Sequence, residues 1–234
     1  MITKKQIQLV RSLKQKRFRD ETCLFVAEGK KLVDELCRSF ELVLLLNEGN
    51  CTQTQLEQAS TQKGSQHCIG VFRQKQSSIN DINTNSIILA LDDVQDPGNL
   101  GTIIRTADWF GVRDIVCSLH TADLYNPKVV QSTMGALSRV NVHYTDLCGW
   151  LSTLRDMPVY GTLLSGRNLY EQDLNRKQAV VVMGNEGNGI SEAVRRMITT
   201  PLLIPSYPVD ASTSESLNVA IATAVVLSEF RRGI

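Results

Sequence analysis

The sequence predicts an α/β fold in which helices cover both faces of a mostly parallel sheet, preceded in the chain by a small α/β unit. The first observation is a series of short apolar runs with few polar breaks, which are typical of strands buried on both faces. The second is that helical patterns separate these runs, an alternation that favours a parallel sheet. The third is the polar stretch 76–85 before the first run, which is typical of a linker. The runs lie at 87–94, 114–119, 159–164, 179–184 and 201–205.

The small unit occupies residues 1–75. Its first helix is expected over residues 3–16, with Thr3 as the N-cap and an apolar stripe that includes Ile7 and Val10. Further helices are expected over 30–38 and 51–62, and strands over 23–27, 41–47 and 67–72. The expected domains are therefore 1–75, a linker at 76–85, and 86–234.

The composition is that of an ordinary globular protein, with 42% hydrophobic and 21% charged residues. No apolar run reaches the roughly 18 residues of a membrane span. The N-terminal stretch lacks the apolar core of a signal peptide, which favours a cytoplasmic location. The six cysteines form no C-x-x-C pair and the three histidines show no ligand spacing, so we expect neither a disulfide framework nor a metal site.

The N-terminal segment is basic, although the net charge of the whole chain is only +1. Residues 1–19 hold seven lysines or arginines and no acid. Such a segment favours a polyanionic partner. A solvated helix face without a partner is the alternative.

The stretch DPGNLGTIIRTADWFG, residues 96–111, is the first of three that place polar groups beside a turn. Its start predicts a turn, and Asn99 is expected as the N-cap of the helix that follows. At about 100° per residue, Arg105 lies opposite the apolar face, beside Thr102 and Trp109. Arg105 is thus free to reach a ligand or another subunit, with an exposed arginine on a capped surface helix as the alternative. The apolar face consists of Leu100, Ile103, Ile104, Ala107 and Phe110.

The second stretch, VVVMGNEGNGIS at 180–191, is a buried strand followed by a glycine-rich turn and a helix start near Ser191. Such turns let backbone N–H groups approach a ligand closely. The glycine order is G-x-x-G-x-G, which differs from the dinucleotide fingerprint G-x-G-x-x-G. Glu186 in the turn disfavours a phosphate and tolerates a cation or a hydroxyl donor. A merely tight strand–helix turn is the alternative.

The third stretch, residues 204–232, is a loop rich in Ser, Thr and Pro followed by a helix that is apolar almost all round. A helix of this kind is buried in the fold or in an oligomer interface. Ser216 and Asn218 lie at its start, beside N–H groups that lack helical partners. Capping explains Ser216 and explains Asn218 less well.

Together and in this order, the three stretches resemble the motifs of the SpoU/TrmH family of RNA ribose 2′-O-methyltransferases. The resemblance covers residues 86–232 and also includes the segment NPKVVQSTMGAL. The first 75 residues more loosely resemble the family's ribosomal-protein-like RNA-binding domain, chiefly in FVAEGKKLVDEL. One departure is the loop from Ile204 to Ser216, which is longer than the family's pattern and lacks its glycine.

The resemblance implies a C-terminal deep trefoil knot, S-adenosylmethionine as the cofactor, and a homodimer formed through the knotted domain. Each active site then mixes residues of both subunits, and the substrate is ribosomal or transfer RNA, with ribosomal RNA favoured by the extra N-terminal domain. The expected catalytic residues are Asn99, Arg105, Glu186, Ser216 and Asn218. The expected cofactor-binding residues are Leu163, Gly184, Asn185, Glu186, Gly187, Ile204, Pro205, Ser216, Leu217 and Asn218. The expected RNA-binding residues are Lys4, Lys5, Arg11, Lys14, Arg17 and Arg105.

Methyl transfer to a ribose 2′-hydroxyl needs a positioned methyl group, an aligned oxygen and help in losing the hydroxyl proton. The resemblance implies Arg105 as the base that accepts this proton, which is one alternative. Because arginine side chains stay protonated in proteins, we expect Arg105 instead to hold the neighbouring phosphate and stabilise the developing alkoxide. Three alternatives remain open. They are a methyltransferase acting on an RNA base, a non-catalytic RNA-binding relative, and a nucleotide-dependent oxidoreductase, which the glycine order disfavours.

Overall fold

A computed structural model describes residues 2–62, 67–208 and 216–233 of the chain. The chain divides into two compact units, Met1–Gln76 with Asp123–Ser138, and Ser77–Ala122 with Arg139–Ile234. The described α-helices are α1 (Lys4–Ser12), α2 (Lys16–Thr22), α3 (Lys30–Leu36), α4 (Gln53–Ala59), α5 (Pro97–Trp109), α6 (Pro127–Ser132), α7 (Leu147–Thr153), α8 (Glu192–Arg195) and α9 (Val219–Arg231). The described strands are β1 (Leu24–Glu28), β2 (Leu42–Asn47), β3 (Cys68–Arg73), β4 (Ile87–Leu91), β5 (Asp114–Cys117), β6 (Asn141–Tyr144), β7 (Val159–Asn168), β8 (Ala179–Met183) and β9 (Thr200–Leu203).

The first unit is built on an antiparallel three-stranded sheet in the order β1-β3-β2. Leu24 lies opposite Arg73 and Glu28 opposite Ile69 along the β1–β3 pair. The sheet packs against α1 and α4 through a cluster of buried apolar side chains, which includes Val10, Leu13, Val26, Leu46, Leu56, Ile69 and Val71. The three strands and the helices α3 and α4 lie where the sequence predicts them.

The first helix is shorter than predicted. Thr3 is its N-cap, as expected, and forms a capping box with Gln6. The helix ends at Ser12, and a second helix, which the sequence did not predict, begins at Lys16. The prediction of one helix over residues 3–16 was therefore wrong.

The helix ends early because of a buried arginine. Arg19 is 2% exposed, and its guanidinium donates to the carbonyl oxygens of Leu13 at 2.8 Å and of Lys14 at 2.9 Å. It also forms an ion pair with the carboxylate of Asp123. A continuing helix would pair these carbonyl groups with N–H groups four residues further on, and the arginine takes their place.

Residues 123–138 belong to the first unit, although the sequence predicted them within the domain 86–234. Val129 of α6 is fully buried, and the ring of Tyr125 lies 4.7 Å from that of Phe25 in β1, measured between centroids. Packing between segments so distant in the chain leaves no local sequence pattern. The expected boundaries could not anticipate this grouping for that reason.

The second unit contains a six-stranded sheet in the order β6-β5-β4-β8-β7-β9. Every strand pairing described in it is parallel, and all residues of β4, β5 and β8 are buried. The prediction of a parallel sheet with doubly buried strands is thus confirmed. The strand β6 was not predicted, because it is a short edge strand whose ends, Asn141 and Tyr144, are exposed.

Helices pack on the central strands of this sheet. Ile88 of β4 and Val180 of β8 share one apolar cluster with Leu147 of α7 and Val194 of α8. The helices α5 and α9 pack against each other. Leu89 follows Ile88 in β4, so its side chain points to the opposite face of the sheet. Leu89 is also fully buried, and both faces of β4 are therefore covered.

The order of strands reverses between β4 and β8. From β4 the chain runs outward through β5 to β6, and β8, β7 and β9 occupy the other half. In open parallel sheets, ligands bind at the carboxyl ends of the strands where the order reverses. Here those ends lead into Asp92 and Asp93 after β4 and into the turn 184–189 after β8. The fold therefore brings the first two motif stretches to one edge of the sheet.

Within residues 2–62, 67–208 and 216–233, no helix has both the length and the apolar character needed to cross a membrane. The same residues contain no group of three or more His, Cys, Asp or Glu side chains that could hold a metal ion.

Candidate active site

Three side chains of the predicted site form a chain of hydrogen bonds. The Nδ2 group of Asn218 donates to Oδ1 of Asn99 at 3.0 Å, and Nδ2 of Asn99 donates to the Glu186 carboxylate at 2.7 Å. Each side chain comes from a different one of the three stretches that the sequence singles out. Glu186 and Asn218 are exposed and Asn99 is half-buried, so a ligand can reach all three side chains.

Asn99 is not the N-cap that the sequence predicts. Asp96 caps α5 instead, and its carboxylate accepts from the backbone N–H of Asn99 at 2.9 Å. Pro97 follows as the first helical residue, where its missing N–H does no harm. Asn99 therefore lies in the first turn of the helix, and its side-chain amide remains available for Glu186 and Asn218.

Asn218, and not Ser216, is the N-cap of α9. Its Oδ1 accepts from the backbone N–H groups of Ala220 at 3.0 Å and Ile221 at 3.3 Å. Its Nδ2 group meanwhile donates to Asn99. One amide thus fixes the start of α9 and joins it to the start of α5, while Ser216 is exposed two positions before the cap. The prediction that capping explains Ser216 better than Asn218 was wrong.

The glycine-rich turn is held closed by Asn185. Its backbone N–H and C=O pair with those of Gly189 at 2.9 Å, and its Oδ1 accepts from the N–H groups of Gly187 and Asn188. A Cβ on Gly184 would overlap the carbonyl carbon of Gly189, so only glycine fits there. The turn presents Glu186 toward Asn99.

The end of β4 is fixed to the same turn through Asp92 and Asp93, which the sequence did not indicate as site residues. Nδ2 of Asn185 donates to the carbonyl oxygen of Asp93 at 2.8 Å, and the N–H of Ser191 donates to the buried carboxylate of Asp92 at 2.7 Å. Asp93 has a φ of 58°, and Ser118 after β5 accepts from its N–H at 2.9 Å. Two acids directly after a buried apolar strand were the available signal for this anchoring.

Arg105 does not join the hydrogen-bonded chain. It is exposed on α5, about 9 Å along the helix axis from Asn99. Within the described part of the chain it makes no hydrogen bond or ion pair. Its neighbours on this face are Thr102, which is exposed, and Trp109, which is 85% exposed. The prediction that Arg105 faces away from the apolar side of α5 is confirmed.

The predicted cofactor-binding residues lie within β7, directly after β8 and β9, and at the start of α9. Thr162 and Arg167 of β7 both lie opposite Leu202 of β9, so the residues between them bulge from the sheet. Leu163 in this bulge packs partly on the apolar core. Ile204 and Pro205 follow β9 directly and are half-buried, whereas Gly187 and Leu217 are exposed. Residues 209–215 of the lengthened loop lie outside the described residues.

The predicted RNA-binding residues of the first unit differ in their surroundings. Lys4, Lys5, Arg11 and Lys14 are exposed. Arg17 is exposed too, but it forms an ion pair with Glu21 at 2.7 Å on the unpredicted helix α2. Arg19 is buried, as described above. The basic surface is therefore concentrated on α1 and the turn that follows it.

The sequence as a whole matches two family models. The SpoU rRNA Methylase family matches residues 86–228, which include the first two stretches and residues 204–228 of the third. The chain belongs to the SpoU rRNA methylase family. The model of the MRM3-like substrate binding domain matches residues 4–90.

Several known proteins resemble the chain over nearly its full length. The 23S rRNA (guanosine(2553)-2′-O)-methyltransferase RlmP of Bacillus subtilis is 30% identical over 94% of this chain and 94% of that protein. A TrmH-family protein from Porphyromonas gingivalis has a structure that matches with a TM-score of 0.88 and 37% identity, over 99% of both chains. The AdoMet-bound rRNA methyltransferase from Sinorhizobium meliloti matches with a TM-score of 0.88 and 31% identity, over 99% of this chain and 96% of that one.

Proposed function

We propose that this protein transfers the methyl group of S-adenosylmethionine to a ribose 2′-hydroxyl of structured RNA, with ribosomal RNA as the substrate. The observation that carries the proposal is the hydrogen-bonded chain Asn218–Asn99–Glu186, which assembles polar groups from all three stretches at one edge of the sheet. The similarity to the 23S rRNA 2′-O-methyltransferase RlmP over 94% of both chains supports the choice of ribose and of ribosomal RNA. A ribosomal substrate also fits the cytoplasmic location expected from the sequence.

The residues at this edge fit S-adenosylmethionine, which a relative from Sinorhizobium meliloti binds. When bound, the cofactor supplies a methyl group activated by its positive sulfur. Leu217 is 50% exposed and Leu164 in the bulge of β7 is 75% exposed, and apolar side chains beside a few fixed polar groups are typical of small-molecule sites. The Glu186 carboxylate suits a cationic ligand. We assign binding to Leu163, Gly184, Asn185, Glu186, Gly187, Ile204, Pro205, Ser216, Leu217 and Asn218, with Asn185 contributing by shaping the turn, because its side chain and its backbone N–H are already hydrogen-bonded within the protein.

The polar chain positions the ribose. A primary amide has two N–H groups, and Asn99 uses one of them on Glu186. The second N–H of Asn99 and the second oxygen of the Glu186 carboxylate remain to bind a hydroxyl group. Ser216 offers a further hydroxyl near the start of α9. Fixed partners of this kind align the attacking oxygen without reorganisation at the moment of transfer.

Arg105 completes the site from a second subunit. Its side chain is not part of the polar chain of its own protomer, yet a fixed guanidinium can hold the phosphate beside the ribose and stabilise the developing alkoxide. We assign the homodimer interface to the exposed side of α5 and α9, where Trp109 is 85% exposed and Ile221 is 54% exposed. Exposed apolar side chains on two helices that pack together favour such an interface. The deep trefoil knot is proposed on the strand order, in which β8 enters between β4 and β7.

The first unit is proposed to bind the RNA backbone. Lys4, Lys5, Arg11 and Lys14 are exposed, with Arg17 as a weaker contributor because of its ion pair with Glu21. Contacts to phosphates give affinity that falls as salt rises and depends little on sequence. The match of residues 4–90 to a substrate binding domain supports this role.

Transfer to ribose is tested by incubating the protein with a 23S rRNA transcript and S-adenosylmethionine labelled in its methyl group, followed by alkaline hydrolysis. A methyl group on the 2′-oxygen blocks cleavage at that position, so we expect the label in alkali-resistant dinucleotides. Label in mononucleotides would assign the enzyme to an RNA base instead. The same assay is run with transfer RNA. If the protein binds RNA but labels neither ribosomal nor transfer RNA, a non-catalytic binder is favoured.

A further inference from the structure

A groove of about 460 Å³, lined mostly by residues with polar side chains, lies within the first unit. The turn after α1 supplies Lys14 to its lining, the segment after α4 supplies Gln62, and α6 and its start supply Asn126, Lys128 and Gln131. Its volume lies within the range of roughly 300–1,000 Å³ that is typical of small-molecule binding pockets. None of these residues belongs to the candidate active site.

One wall of the groove is fixed by the buried guanidinium of Arg19. It holds the carbonyl oxygens of Leu13 and Lys14 and pairs with the carboxylate of Asp123. That carboxylate also accepts from the N–H of Tyr125 at 3.2 Å. A single side chain thus ties the turn that carries Lys14 to the segment that leads into α6.

The segment on the other side is fixed by a second buried charge. Glu28 is 2% exposed, and its carboxylate accepts from the hydroxyl of Ser60 at 2.6 Å and from the N–H of Thr61 at 2.7 Å. Nε2 of Gln62 then donates to Oε1 of Gln131 at 2.8 Å, which joins this segment to α6.

Arg19 and Glu28 are the two buried charged residues described in this unit. Removing a charge from water is expensive, and exchanging buried ion pairs for apolar residues is often neutral or stabilising. Their hydrogen bonds here go to the segments that line the groove. The groove is therefore held in shape at an energetic cost that a simple core would avoid, which is expected of a binding site.

The charge of the groove selects an anion. Its eight lining residues include two lysines and no acid. Lys4, Gln8 and Arg11 are exposed and fall on one face of α1 at about 100° per residue. This stripe leads along the helix toward Lys14. None of the described lining residues is aromatic, so the groove lacks the stacking platform that single-stranded bases use.

We propose that this groove binds the sugar–phosphate backbone of the substrate RNA, with Lys14 and Lys128 on phosphates and Gln62 and Gln131 on ribose hydroxyls. The proposal rests on the proposed function, because it assigns a second contact to the same RNA. It adds α6 and Lys128, from the middle of the chain, to an RNA-binding surface that the sequence predicts on the N-terminal segment and at Arg105.

Gln131→Glu is the sharpest test. A glutamate at this position still accepts the hydrogen bond from Gln62, so only a negative charge is added to the groove. Gln58→Glu is the matched control, because Gln58 is exposed on α4, is not among the lining residues, and receives the same change of charge. Lys128→Gln removes one positive charge from the groove. The readouts are the dissociation constant for a labelled 23S rRNA transcript at several salt concentrations, the melting temperature, and S-adenosylmethionine binding by calorimetry.

We expect Gln131→Glu and Lys128→Gln to weaken RNA binding about fivefold at low salt and to lower the slope of log affinity against log salt by about one. The control should bind like the wild type, all variants should keep cofactor binding, and Gln131→Glu and Gln58→Glu should keep the wild-type melting temperature. Groove variants that bind RNA like Gln58→Glu would overturn the proposal, as would a wild type that binds no RNA. Binding of millimolar 5′-AMP to the wild type but not to Gln131→Glu, together with RNA binding that Gln131→Glu leaves unchanged, would assign the groove to a free nucleotide and also overturn the proposal. If the groove variants weaken binding but the wild type methylates no RNA, the proposed function fails and the groove assignment stands.

Discussion

Asn218 and Asn99 are hydrogen-bonded side chain to side chain at 3.0 Å, although 119 positions separate them in the chain. The bond joins the start of α9 to the start of α5. Because Asn99 in turn donates to Glu186, the position of the carboxylate depends on the cap of a helix from the far end of the chain. The site is therefore an assembled structure, and its parts can be separated by substitution.

The substitution Asn218→Asp tests the hydrogen bond from Asn218 to Asn99 separately from the N-cap of α9. Aspartate is as good an N-cap as asparagine, so the hydrogen bonds from Ala220 and Ile221 and the melting temperature should be retained. The substitution removes the N–H group that donates to Asn99. The Asn99 amide could donate to the new carboxylate only if it rotated and gave up its hydrogen bond to Glu186. We expect the single-turnover rate to fall about 100-fold. Asn218→Ala should lower both the single-turnover rate and the free energy of unfolding, the latter by about 1 kcal/mol. A wild-type rate for Asn218→Asp would show that the hydrogen bond from Asn218 to Asn99 has no catalytic role.

The sequence predicts the strands of the second unit better than it predicts which residues cap the helices beside the candidate site. The buried runs of β4 and β8 are apolar enough to be recognised without any contact information. The roles of Asn99 and Ser216 were misassigned, because Asp96 and Asn218 are equally good N-caps and local preference alone does not choose between them. The break after Ser12 depends on Arg19 and Asp123, whose pairing exists only in the folded chain.

Arg105→Ala tests the arginine as an electrostatic group. Loss of a fixed cation beside a developing alkoxide should lower turnover by roughly 100- to 1,000-fold. Binding of S-adenosylmethionine, measured by calorimetry, should be unchanged, because Arg105 is proposed to contact the RNA. Equal loss of cofactor binding and turnover would contradict this assignment and place Arg105 in the cofactor site.

Mixing two inactive variants tests whether a site takes residues from both subunits. Arg105→Ala and Glu186→Gln protomers are denatured and refolded together in equal amounts. If Arg105 acts on the partner's Glu186, each mixed dimer contains one intact site, and about a quarter of the wild-type activity should return. If both residues act within one subunit, every site keeps one defect and activity stays absent in the mixture.

The buried pair of Asp114 and His143 predicts how stability depends on pH. Burial alone would raise the pKa of Asp114, but hydrogen bonds from His143 and Asn141 outweigh it and hold this pKa below its ordinary value of 3.8. A lowered pKa in the folded state contributes stability that is present above the unfolded value and is lost as pH falls through the folded one.

Urea unfolding between pH 6 and pH 3 checks this contribution. The free energy of unfolding of the wild type should fall steeply below about pH 4. Asp114→Asn should start from a lower stability at pH 6, because it breaks the pair with His143, and should fall less steeply with acid. Parallel pH curves for the two proteins would exclude Asp114 as a source of the acid dependence.

The most direct test of the account is mass spectrometry of nucleosides from a 23S rRNA transcript incubated with S-adenosylmethionine and either the wild type or Asn218→Asp. The wild type should produce a nucleoside that loses a methylated ribose on fragmentation, and Asn218→Asp should produce far less of it in the same time. A methyl group retained on the base fragment, or equal yields from the two proteins, would contradict an enzyme whose ribose site depends on the Asn218–Asn99–Glu186 chain.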